Sequence, residues 1–103
     1  MAKLYVTEYP DLPGAFATYT PQVVREPPLV DQTPVAIGAS STPSQPFSSL
    51  TKIVRLHTDV VCSIVIGPPT GLTATANSQR LAANQTEYKM VIPGHAVAVI
   101  TNS

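Results

Sequence analysis

The sequence predicts an all-β chain: a small antiparallel sandwich or jelly-roll-like barrel with a Pro-rich extended N-terminal arm. Three observations carry that expectation. Runs of strand length, apolar or alternating, recur through the second half and are split by Gly and Pro turns. No segment repeats large apolar residues at helical spacing. Eleven prolines are present, and those at 10, 13, 21, 27, 28, 34, 43 and 46 precede Ser48. Proline fixes φ and lacks a backbone donor, which excludes long helices and wide sheets from that part.

The elements follow in order. Residues 4–9 read as an edge or arm strand, with Leu4, Val6 and Glu8 on one face and Tyr5, Thr7 and Tyr9 on the other. Residues 22–25 and 34–39 are further extended segments. Residues 52–58 alternate, with Ile53, Arg55 and His57 opposite Val54, Leu56 and Thr58. Residues 60–66 are apolar on both faces, the pattern of a strand covered on both sides. The stretch Gly67-Pro68-Pro69-Thr70-Gly71 is a turn signal. A short strand over 72–75, a polar loop over 77–80 and a β-prone run over 86–92 come next. Pro93-Gly94 then turns the chain into a last strand over 95–101. The expected core is Val54, Leu56, Val60, Cys62, Ile64, Ile66, Met90, Ile92, Val97 and Val99. The chain thus divides into a Pro-rich arm with edge segments, 1–48, and an antiparallel core, 49–103.

Composition narrows the function classes. Charged residues make up 12% of the 103, about half the usual share of roughly 25%. Six basic and six acidic residues cancel. Lys3, Arg25, Lys52, Arg55, Arg80 and Lys89 form no run, so no direct nucleic-acid binding by counterion release is expected. Apolar runs stay far below the ~18 residues of a membrane helix. A neutral surface tends to associate, so much of this surface is expected to be covered. The convincing core occupies about half the chain, and small cores of that size are marginal. Tyr5, Tyr9, Phe16 and Tyr19 stand within the first twenty positions. They either cap the chain's own core or lie on another molecule, where rings give contact area at low entropic cost.

The inventory for chemistry is thin. His57 and Asp59 could serve as base and orienting carboxylate of a hydrolase. They are local neighbours, however, with no Gly-x-Ser-x-Gly elbow, and Asp59 suits a turn between two strands. Cys62 sits in the most apolar run and behaves as a small hydrophobe. One Cys cannot make a disulfide or a cysteine zinc site, and His57 with His95 supplies two ligands only. The residues predict no enzyme, no cofactor and no metal.

The second half carries a resemblance. It reads Phe47-Ser48-Ser49-Leu50-Thr51, Val54-Arg55-Leu56-His57-Thr58-Asp59, Cys62-Ser63 and Gly67. Pro69-Thr70, Thr73-Ala74-Thr75, Arg80-Leu81-Ala82-Ala83-Asn84, Pro93-Gly94-His95 and Val97-Ala98-Val99-Ile100 follow. This resembles small virion structural proteins of tailed bacteriophages, of the head decoration or cement type. The resemblance implies a chain on the virion head surface, assembled in the host cytoplasm. Its implied partners are the major capsid protein and copies of itself. A tail, neck or fibre-base component is the alternative, and a free ligand-binding β domain a further one. On the decoration reading the arm makes the partner contacts, through Leu4, Tyr5, Val6, Tyr9, Phe16 and Tyr19, with Val23 and Val24 next.

Overall fold

A computed structural model describes residues 2–10 and 27–102. Every regular element among them is a strand: β1 (Lys3–Tyr9), β2 (Val30–Asp31), β3 (Val35–Ala36), β4 (Thr42–Pro43), β5 (Ile53–Thr58), β6 (Cys62–Gly67), β7 (Gln79–Leu81), β8 (Thr86–Met90) and β9 (Ala96–Thr101). They form two antiparallel sheets. The first runs β2-β1-β5-β8, with β3 also pairing β1, and the second runs β4-β9-β6-β7. The sheets pack face to face as a small β-sandwich, the fold class the alternation predicts.

Register explains which side chains meet. In the first sheet Leu4 lies opposite Thr58, Val6 opposite Leu56 and Glu8 opposite Val54. In the second, Ile64 lies opposite Val99 and Ile66 opposite Val97. Directly opposed residues share a face, so these rows point at one another across the gap. Leu4, Val6, Val35, Val54, Leu56, Cys62, Ile64, Leu81, Val97 and Val99 make one buried cluster, closed by Phe47 from the β4–β5 connection. Each such side chain contributes about 1.5–3 kcal/mol on full burial.

Residues 3–9 do not form an arm or an edge. β1 has β5 on one side and β2 and β3 on the other, and its six-residue pairing with β5 fixes it in the sheet. Residues 3–9 thus belong to the sandwich, and β2, β3 and β4 are short strands at the sheets' edges, in line with the edge segments expected before residue 48. Apolar alternation in β1 needs a partner sheet, and the chain's own second half supplies it. Residues 11–26, which hold the rest of the expected arm, lie outside the described residues, as does the segment expected over 22–25.

Several local expectations change. Residues 72–75 form no strand. They belong to a loop held against the second sheet, where the Ala74 amide donates to Ser41 Oγ at 2.8 Å and Asn102 Nδ2 donates to both Ser63 Oγ and the Ala76 carbonyl. Gln79 and Arg80, expected in a polar loop, form β7 with Leu81 beside β6. Pro93-Gly94 does form the tight turn. His95 N donates to the Ile92 carbonyl at 3.1 Å, and Gly94 takes φ 84°. Proline second and glycine third in that loop give a type II turn.

Three core expectations are corrected. Val60 is half-buried in the bend between β5 and β6, outside the cluster. Met90 is 84% exposed and Ile92 61% exposed. The cause lies in the register of β8: Glu87 pairs Leu56 and Lys89 pairs Val54. The inward positions of β8 and its continuation are thus Glu87, Lys89 and Val91, and Val91 alone of these packs on the core cluster. Tyr88, Met90 and Ile92 take the other face.

Edges are protected by sequence. Thr7 pairs Asp31 while Leu4 pairs Val35, so three steps along β1 face four along its neighbour. That extra residue is a bulge, and Pro34 beside it removes a donor. Pro43 does the same in β4. On β8 the inward Glu87 and Lys89 form an ion pair of 3.6 Å. Inward charges, bulges and prolines are what keep sheet edges from pairing with other chains.

Candidate functional site

The partner-contact residues expected from sequence fall into three groups. Leu4, Val6 and Tyr9 are buried within the molecule. Leu4 and Val6 point into the core cluster, whereas Tyr9 lies on the other face of β1 opposite Ile53 and is buried there, so none of the three stands exposed to a partner. Tyr5 is 38% exposed and stands on the outer face. Phe16, Tyr19, Val23 and Val24 lie outside the described residues.

Glu8, facing the core with Leu4 and Val6, is buried yet hydrogen-bonded at both carboxylate oxygens. Gln32 Nε2 donates to its Oε2 at 2.6 Å, and the Ser48 amide and Thr51 Oγ1 donate to its Oε1 at 2.8 and 2.6 Å. Gln32 is clasped in turn, donating to the Gln45 carbonyl and accepting from the Gln45 amide, both at 3.1 Å. A carboxylate so enclosed holds segments together and offers no free lone pair in reach of solvent.

Two surface features remain, both on the outer face of the first sheet. One is an apolar strip. Tyr88, Met90 and Ile92 alternate along β8 and its continuation at 55%, 84% and 61% exposure, and Leu50 is 64% exposed. The Val91 amide donates to the Lys52 carbonyl at 2.8 Å, which carries the ladder on past Met90. β8 is therefore turned inside out: its charged positions face the sandwich and its apolar ones face water. Sequence reading placed Met90 and Ile92 on one face correctly and chose the wrong side for that face. Hydrophobicity ranks the two faces of a strand, but the register with β5 decides which one turns inward.

The other feature is an open polar cleft of about 480 Å³ lined by Tyr5, Thr7, Asp31, Arg55, His57 and Asp59. The pairs Tyr5–His57, Thr7–Arg55 and Thr7–Asp31 are in register, which sets these side chains on one face in two rows. His57 Nδ1 lies 2.8 Å from Thr86 Oγ1, the position an orienting carboxylate would occupy in a catalytic pair. Asp59 is placed instead by its amide, which donates to the Lys3 carbonyl at 3.2 Å. Thr7 and Asp31 come from segments that the sequence does not bring together, so only His57 and Asp59 were visible beforehand.

The remaining candidates carry no site. Cys62 is buried, and burial pushes its thiol up from the ordinary value, opposed by its contact with the Thr58 hydroxyl. A raised thiol is a poor nucleophile. Among the described residues no three His, Cys, Asp or Glu side chains gather as metal ligands would. Set against protein-family models, curated proteins and solved structures, the chain matches none.

Proposed function

We propose that this chain is a virion structural protein of a tailed bacteriophage, a decoration protein that seats on the head and bridges neighbouring major capsid subunits. It performs no chemistry. The supporting observation is the inside-out strand β8, whose Tyr88, Met90 and Ile92, with Leu50, stand exposed on a chain of zero net charge. Contiguous apolar surface on a small soluble fold marks an interaction face. The resemblance of residues 47–103 to virion proteins gives that face its partner.

Magnitudes favour a bridging mode. Covering Leu50, Met90 and Ile92 contributes about 1.5–3 kcal/mol each, while fixing a free partner costs about 4–15 kcal/mol. A strip on one subunit holds weakly. Seating across a joint adds a second contact within an already paid association step, the arithmetic of multivalent binding.

The test is the position of the chain in the intact particle by cryo-electron microscopy. Density for the sandwich on the outer shell, with β8 against capsid subunits, is expected. Density in the tail, neck or fibre base, or none in the virion, would overturn the reading.

A further inference from the structure

We infer that the polar cleft on the outer face of the first sheet is a binding site for a neutral saccharide. It borders the apolar strip that carries the proposed attachment, Arg55 lying opposite Tyr88, and different variants test the two. The chain holds six basic and six acidic residues, and Asp31, Arg55 and Asp59 converge on this cleft. The sheet keeps them from neutralising one another. Asp31 and Arg55 flank Thr7 from opposite sides, so two strand spacings, about 10 Å, separate their backbones. Among the described residues neither the Arg55 guanidinium nor the Asp59 carboxylate meets a hydrogen-bond or ion-pair partner. Charged groups aimed into a concavity and left unpaired by the protein are groups held for a ligand.

The chemistry of the lining selects the ligand. One cation against two carboxylates disfavours phosphate and nucleic acid, and the central guanidinium disfavours a simple cation. A neutral polyhydroxylated molecule suits both signs at once. Its hydroxyls donate to Asp31 and Asp59, forming charge-assisted bonds, and accept from Arg55. Tyr5 and His57 supply ring surface, with centroids 6.1 Å apart and planes tilted 47°, against which the C–H face of a pyranose packs. The Thr86 bond to His57 Nδ1 fixes that ring and leaves Nε2 for a sugar oxygen. The cleft, at about 480 Å³, falls within the roughly 300–1,000 Å³ of small-molecule sites.

The full chain, labelled with ¹⁵N, is titrated with maltotriose, cellotriose, chitotriose and a galactose disaccharide, and separately with inorganic phosphate and glycine betaine. At least one neutral sugar is expected to give saturable shifts at Tyr5, Thr7, Asp31 and residues 55–59, with a dissociation constant of millimolar order. Arg55→Gln and Asp59→Asn, both on the surface and expected to melt like the parent, should each weaken it by about tenfold. Met90→Ser should not change it. No saturable shift with any of the four sugars would overturn the inference. So would shifts undiminished in Arg55→Gln and Asp59→Asn, or saturation by phosphate or betaine in place of the sugars.

Discussion

The Thr51 hydroxyl donates to the buried carboxylate of Glu8 at 2.6 Å, joining residues 43 positions apart. With the Ser48 amide and Gln32 Nε2 on the same carboxylate, this contact ties β1 to the β2–β3 and β4–β5 connections. A buried polar group is costly unless it is hydrogen-bonded, and here three donors from two segments bond it.

Removing that acceptor leaves the donors stranded. Glu8→Ala is expected to destabilise the fold by about 3–5 kcal/mol, the usual cost of breaking a buried charged network. Thr51→Val, which deletes one donor, should cost about 1–3 kcal/mol. Urea unfolding of the parent and both variants checks the order. A Glu8→Ala variant within about 0.5 kcal/mol of the parent, the range of ordinary surface changes, would show that the network does not support the fold.

The leading strand is an integral part of the core. Leu4→Ala should lose about 2–5 kcal/mol through the cavity it leaves, and a chain beginning at residue 10 should show no cooperative unfolding transition. Thermal melts followed by far-UV circular dichroism decide this. A cooperative melt of the shortened chain would return residues 3–9 to the status of an arm.

Alkaline stability reports on Cys62. Burial raises its folded pKa, so above the ordinary thiol value of about 8.5 the unfolded chain loses a proton that the folded chain keeps. The stability this group contributes is complete below that value. It falls as pH rises further, by at most about 1.4 kcal/mol per pH unit. Guanidinium unfolding between pH 7 and 10 should show that decline in the parent and a shallower one in Cys62→Ala. Equal slopes would remove the thiol as the cause.

What the sequence made legible was local. β5 follows from alternation and β6 from an apolar run of strand length, and the turn at Pro93-Gly94 that leads into β9 follows from proline and glycine chemistry at adjacent positions. What it hid depends on pairings far apart in the chain. β1 reads as a lone strand because its partner Ile53–Thr58 lies more than forty residues on, and Met90 reads as core because the register with Ile53 is set by the whole sheet. The cleft shows the same division: Arg55, His57 and Asp59 are close in sequence, while Tyr5, Thr7 and Asp31 arrive only through strand order. Glu8 was placed on the face of Leu4 and Val6 by simple alternation, but the donors that make its burial tolerable come from residues 32, 48 and 51.

The inward charges of β8 make a further point about association. Glu87→Val with Lys89→Val would give the edge two apolar inward positions and remove the ion pair. Edge strands without such charges pair with other chains, so the double variant is expected to aggregate at concentrations where the parent stays dispersed. Light scattering checks it, and a variant as dispersed as the parent would assign edge protection elsewhere.

The most direct measure of the proposed role is co-sedimentation of the purified chain with head shells that lack it. The parent should bind saturably, and Met90→Ser with Ile92→Ser should abolish binding while leaving the thermal melt unchanged, because both side chains already face water. Full binding by that double variant, or no saturable binding by the parent, would contradict the account.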